Sequence, residues 1–242
     1  MRNFFLVALL LLISSCGGRK DTIIAYDADW YADDFGFYDS HINGLTEDLL
    51  MEFSKFSGKS FEKINVATEN LFDGLQRKKY QAVLATLYPY NFEEAKYDFS
   101  DIYLETGPIV VVSKNAKIQS IKEWKKELIG LKQNDPAVVF IEKRSDLIIK
   151  FYANDIDLLT ALEKGDIDGA ILGNVNAVRY LSDTFYGKFK ILPTPLQKQG
   201  IRMIVLEGEE KNLLRSFNAM LKKMKKRKAY QKLLAKWSLS LK

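Results

Sequence analysis

Short β-branched or apolar runs alternate with stretches of helical spacing along almost the whole chain, and this alternation is what most restricts its fold. Residues 22–26 form a β-branched, apolar run without helical spacing, which predicts a buried strand. Thr46 is placed to cap the next helix, with Glu47 and Asp48 in its first turn. Leu45, Leu49, Leu50, Phe53 and Phe56 recur at helical intervals, and Gly58 supplies the stop. A strand over 61–66, a short helix carrying Leu71, Phe72 and Leu75, and a strand over 81–85 complete a β-α-β-α-β series. Such a series builds a mostly parallel sheet with helices on both faces.

Gly107 and Pro108 interrupt the chain before a strand over 109–112, and a second series follows. It reads as helix 120–128, strands 129–131 and 147–152, helix 157–164 with Leu158, Leu159 and Leu162 inward, strand 169–172, helix 175–181 and strand 189–192. Residues 136–143 read two ways: Val138, Val139 and Phe140 favour a strand, their place in the alternation a helix. Pro193 and Pro195 mark another irregular connection, 201–206 is a strand, and the tail is helical with a break near Lys228. The expected fold is α/β with two lobes, residues 22–106 with 200–242 and residues 107–199. The chain crosses between them near 104–108 and 193–200, and two crossings make a hinge beside a cleft.

Hydrophobic residues are 47% of the 242, ample for such cores. The chain has one histidine, His41, and one cysteine, Cys16, so it can form neither a Cys/His zinc site nor an internal disulfide. A Ser-His-Asp triad could use only His41, so any catalysis would fall to carboxylates, lysines or tyrosines; no cofactor or metal is expected. The cluster Asp27, Asp29, Asp33, Asp34 and Asp39 lacks the glycine and distal glutamate of an EF-hand loop. Residues 211–242 hold eleven basic and no acidic side chains, which leaves the remainder at −6 against a total of +5. An acidic body with a basic C-terminal helix is not a nucleic-acid-binding pattern. The run Lys222, Lys223, Lys225, Lys226, Arg227 and Lys228 reads first as a solvated helix face and second as a contact for anionic lipid.

At the N-terminus Arg2 precedes an apolar stretch, 4–13, too short to span a bilayer, which needs roughly twenty residues. It has the form of a signal-peptide core. The ending L-I-S-S-C resembles a bacterial lipobox, which implies a signal peptide over 1–15, a lipid-modified (palmitate-bearing) Cys16 and a tether over 16–21. The mature protein is then expected on the extracytoplasmic or periplasmic face, anchored to a membrane.

Several motifs now stand in order: Y-D-A-D-W after the first strand, G-L-T-E-D-L-L, L-F-D-G-L-Q-R-K-K-Y-Q-A-V-L-A, D-F-S-D-I-Y at 98–103, G-P-I-V-V-V, I-G-L-K-Q, A-L-E-K-G-D-I-D-G-A-I-L and Y-Q-K-L-L-A-K-W. Together they resemble the type II periplasmic solute-binding proteins of ABC importers, family 3, the polar amino acid binders. The resemblance implies the two-lobed type II fold, a small-molecule ligand, a permease partner and a monomer.

In amino-acid binders of that family an Arg in the first lobe forks onto the ligand carboxylate and an Asp in the second pairs with its ammonium. The matching positions here are Glu93 and Gly173, so both anchors are absent and one has reversed its charge. No Arg lies anywhere between Lys79 and Lys143. Other matched positions are Asp27 and Trp30 at the end of the first strand, Thr68, Thr86 and Tyr88 in the first lobe, and Lys132, Asn134, Asp135 and Asn174 in the second.

The leading function is therefore a lipid-anchored binding protein that delivers a small polar ligand, cationic if Glu93 faces it, to an ABC importer. A degenerate sensor or structural lipoprotein is the alternative. A dehydratase-like enzyme on the same fold is disfavoured, because its dianionic substrates need the missing Arg.

Overall fold

The apolar run that opens the body, β1 (Thr22–Tyr26), becomes the middle of three parallel strands. The computed structural model describes residues 22–27, 38–86 and 95–241. After β1 come α1 (Asp39–Ser57), β2 (Phe61–Asn65), α2 (Thr68–Gln76), β3 (Ala82–Ala85), β4 (Tyr97–Phe99) and β5 (Leu104–Glu105). The second lobe holds β6 (Pro108–Ser113), β7 (Leu128–Lys132), α3 (Val138–Ile141), β8 (Ile148–Tyr152), α4 (Asp155–Lys164), β9 (Gly169–Gly173), α5 (Asn174–Ser182) and β10 (Phe189–Ile191). The chain then returns through β11 (Gly200–Leu206) and ends in α6 (Lys211–Lys226) and α7 (Ala229–Lys236).

The first sheet runs β2-β1-β3-β11-β4, with β5 paired to β11. Its side chains alternate faces as strand geometry requires. Ile24, Leu84, Met203 and Val205 meet α1 and α6 through Leu45, Phe53 and Phe217, while Ala25, Val83 and Ile204 meet α2 through Leu71 and Leu75. The second sheet runs β10-β6-β9-β7-β8. Ile109 and Val111 pack on Leu158 and Leu162 of α4; Val110 and Val112 pack on Trp124 and Ile141 across the other face. Each sheet is mixed rather than mostly parallel: a parallel trio (β2-β1-β3 and β9-β7-β8) is extended by antiparallel strands. Among the described residues the clusters draw on Ile23 onward and give each lobe a packed core.

Three local expectations are corrected. Helix α1 starts at Asp39, not at Thr46, because buried Ile42 already continues the apolar stripe. Thr46 is 1% exposed and its hydroxyl bonds that of Tyr103 at 2.9 Å, so it is a core residue and not a cap. Phe56, read as inward, is 39% exposed. Helix 120–128 shrinks to one 3₁₀ turn, Ile121–Glu123, capped by the Ser120 hydroxyl. Trp124 leaves the helical path to fill the space that a Cβ at Gly169 would take, and Lys126 turns left-handed at φ 71°. The ambiguous stretch 136–143 resolves as the single turn of α3, with Val139 and Phe140 exposed. The break near Lys228 is present, Lys228 itself being left-handed between α6 and α7. His41 is structural: its ring donates to the Trp237 carbonyl at 2.7 Å and stacks on Tyr38.

The two crossings are paired to each other. Gly200 and Ile201 of β11 stand opposite Glu105 and Leu104 of β5. The Thr106 and Gly107 amides both donate to the Gln199 carbonyl, at 3.0 and 3.1 Å, and the Leu196 amide donates to the Pro108 carbonyl at 2.9 Å. The strands approach so closely at Gly200 that an added Cβ would overlap the Leu104 carbonyl oxygen. Gly200→Ala is therefore expected to destabilise the protein by about 1–3 kcal/mol. Gly173→Ala, whose Cβ would meet only the Thr106 carbonyl oxygen at 3.5 Å, should change stability by less than about 0.5 kcal/mol. Urea unfolding of the two variants checks the contrast, and an unchanged midpoint for Gly200→Ala would contradict the close approach.

Candidate ligand-binding site

Parallel strands end together, so their carboxyl ends gather the loops that follow them on one edge of the sheet. In the first lobe that edge carries Asp27 just past β1, Thr68 at the start of α2, after β2, and Thr86 just past β3. Asp27 is 6% exposed and accepts a hydrogen bond from the Thr68 hydroxyl. Two of the residues singled out from the sequence are thus in direct contact. Thr86 follows β3 directly and is half-buried.

In the second lobe the same edge carries Lys132, the last residue of β7, and Asn174, immediately after β9. Between β7 and α3 the chain turns at Asn134, whose φ of 59° is a left-handed value that asparagine tolerates. Asp135 follows, and its carboxylate accepts from the Ala137 amide at 2.8 Å, holding the turn that starts α3. Asn174 is committed to the hinge. Its side chain donates to the Glu105 carbonyl at 3.1 Å, and its amide donates to the Thr106 and Gly107 carbonyls.

A cavity of about 300 Å³ opens between these second-lobe residues and the hinge. Lys132, Asn134 and Asp135 line it from the β7–α3 turn, Asp155 and Asn176 from the two helix starts, and Thr106, Gly107 and Gln199 from the crossings. The charged lining is two carboxylates against one ammonium. Asp155 is 9% exposed and opens α4, where the helix dipole favours a negative charge. Thr106 is 5% exposed, and its hydroxyl has no hydrogen-bond partner among the described residues. A buried hydroxyl in that condition is a donor and acceptor awaiting a ligand or water.

The structure thus brings Lys132 and Asp135 into one cavity, sets Asn174 behind it in the hinge, and places Asp27, Thr68 and Thr86 on the other lobe's edge, outside the cavity lining. Trp30, Tyr88, Glu93 and Cys16, with Asp29, Asp33 and Asp34, lie outside the described residues. Thr106, Asp155, Asn176 and Gln199 were not read from the sequence. Asp155 sits in N-D-I-D at a helix start, where an acidic residue needs no explanation beyond the dipole. Among the described residues no group of His, Cys, Asp and Glu is arranged to hold a metal ion, and no helix is long and apolar enough to cross a membrane.

The sequence profile of the bacterial extracellular solute-binding proteins, family 3, matches residues 23–240. The chain belongs to that family. Within it, the chain is 26% identical over 195 residues to the ABC transporter glutamine-binding protein GlnH of Bacillus subtilis (strain 168), covering 80% of this chain and 68% of that one. It is 25% identical over 253 residues to the arginine-binding extracellular protein ArtP of the same organism, covering 95% and 96%. The L-cystine solute receptor of Neisseria gonorrhoeae, solved in its unliganded open conformation, superposes with a TM-score of 0.69 at 16% identity, over 91% of this chain and 93% of that one. The fold is the two-lobed type II fold of periplasmic binding proteins, as the motif order implied.

Gly173 occupies the end of β9 with φ −62° and room for a side chain, so nothing steric among the described residues requires a glycine there. For Thr106, replacing an unpaired buried hydroxyl by a methyl removes a desolvation cost without breaking a bond. Thr106→Val is therefore expected to leave the unliganded protein as stable as before, or up to about 1 kcal/mol more stable. A thermal or urea midpoint that fell by more than about 1 kcal/mol would reveal a structural role for the hydroxyl instead.

Proposed function

We propose that this chain is the extracytoplasmic, lipid-anchored binding protein of an ABC importer, and that its ligand is a small amino-acid-like molecule carrying positive charge. The observation that carries this reading is the cavity at the hinge, whose lining holds Asp135, Asp155 and Lys132 together with Thr106, whose buried hydroxyl has no partner among the described residues. A cationic group entering it meets more carboxylate than ammonium, and a buried charge is tolerated only where such partners exist. Asp155 takes over the role of the acid missing at Gly173, standing on the neighbouring helix start rather than at the strand end. Glu93, in place of the family's carboxylate-binding Arg, repels an anionic ligand group and suits an amine. The names of the relatives support an amino-acid-like ligand, one being a glutamine-binding and one an arginine-binding protein.

Closure about the paired crossings brings Asp27, Thr68 and Thr86 over the occupied cavity, with Trp30 and Tyr88 as aromatic faces for the cation. The closed form is what the permease reads. Cys16 carries the lipid that keeps the protein at the extracytoplasmic face of its membrane.

A thermal-shift screen of the body, unfolded and refolded to strip carried ligand, tests the reading with acidic, neutral and basic amino acids, polyamines and short peptides. A ligand at a hundred times its dissociation constant adds about 2.7 kcal/mol, which for this chain length raises the midpoint by roughly 5–10 °C. Basic amino acids or amines are expected to give that shift, and Asp155→Asn to weaken their binding about tenfold or more while costing the unliganded protein no more than about 1 kcal/mol, the dipole contribution of its charge. A response confined to acidic ligands would overturn the charge assignment. Silence across the panel would transfer the reading to a structural or sensing lipoprotein whose cleft no longer binds.

A further inference from the structure

A second concave surface lies on the first lobe, away from the cleft. The C-terminal ends of α1 and α6 converge on a groove of about 260 Å³, floored by Phe56, Met220 and Met224 and rimmed by Lys55, Lys223 and Arg227. The one acid in its lining, Glu52, is already paired with Lys55 at 2.7 Å. The Lys223 ammonium stands 5.2 Å over the Phe56 ring, an apolar side chain that is itself substantially exposed. Lys222, Lys225, Lys226 and Lys228 extend the positive surface beyond the groove, all exposed and none in an ion pair among the described residues. A basic rim around an apolar floor matches a phospholipid, with phosphate at the rim and glycerol and upper acyl chain at the floor.

The course of the chain says why this surface meets lipid. Thr22 pairs with Phe61, whose ring stacks on Phe53 at 4.6 Å, one helical turn before Phe56. The body therefore begins beside the groove. Six tether residues, 16–21, reach at most about 20 Å, so an anchor at Cys16 holds this end of the lobe at the bilayer. Asp27 and the cleft edge lie at the opposite end of β1.

We infer that the α1–α6 groove binds the headgroup of an anionic phospholipid, seating this end of the first lobe on the membrane. The seating rests on the lipid-anchor reading; the affinity of the groove for the headgroup does not. The test is sedimentation of the unanchored body, residues 17–242, with vesicles of phosphatidylcholine alone or with about 30 mol% phosphatidylglycerol. Binding to the anionic vesicles only is expected, falling at least tenfold in Lys223→Glu/Arg227→Glu and unchanged within about twofold in the second-lobe control Lys114→Glu/Lys117→Glu. Retained thermal midpoints show that both variants fold. Equal loss in both variants, or no preference for anionic vesicles, would overturn the assignment of the groove. Mass spectrometry of the N-terminus of the full chain made in a bacterial host reads the anchor separately: an unmodified Cys16 would remove the seating while leaving headgroup binding by the body to stand or fall on the vesicles.

Discussion

The backbone pairing of the two crossings is the constraint on which the rest of this molecule depends. The strand that returns from the second lobe is also the one that completes the first sheet, lying between β3 and β4. Pairing at Leu104 and Glu105 with Ile201 and Gly200 sets its register, and that register decides which of its side chains reach each face of the first-lobe core. Asn174 ties the second lobe to the same ribbon from the side, and Val175 beside it packs into the first-lobe cluster. The lobes are thus joined through a narrow hydrogen-bonded strap, which resists twisting out of register yet leaves a bend available. A cleft protein needs both properties, since its two walls must meet the same ligand each time they close.

That strap also builds the candidate site. Thr106, Gly107 and Gln199 belong to the crossings and line the cavity directly, so the hinge is part of the site as well as its pivot. The charged side chains of that cavity lining are Lys132, Asp135 and Asp155. A guanidinium fork on a carboxylate supplies geometry and charge together, and no single substitution preserves both. The positions that the resemblance matches to the two anchors hold Glu93 and Gly173 instead. Asp135 and Asp155 are the acidic side chains of the cavity lining.

Much of the fold was legible in the sequence, because the burial of strands on both faces and the stripe of a helix leave periodicities of different length. The runs at 22–26, 109–112 and 201–206 and the stripes of α1 and α4 were visible for that reason. The failures have local causes. Strands β4 and β5, three and two residues long, are too short to show any period. Thr46 carries the chemistry of a cap, but the stripe runs past it to Ile42, and its hydroxyl finds Tyr103 from fifty-seven positions away. The segment 120–128 has helical spacing, yet Trp124 stabilises the fold more by filling the space over Gly169 than by continuing a turn.

By itself the sequence determined the alternation of elements, the two crossings, the family-like motif order and the presence of Glu93 and Gly173 at the positions the resemblance matches to the anchors, all properties of neighbouring residues or of residue identity. Tertiary structure alone decided that each sheet is mixed, that Asn174 serves the hinge, and that Asp155 and the unpaired Thr106 hydroxyl share a cavity with Lys132 and Asp135. It likewise brought the basic run of α6 beside the entry of the chain at Thr22. The physical reason is the same in each case: these relations join residues far apart in the chain, and only packing of the sheets determines which loops their edges bring together.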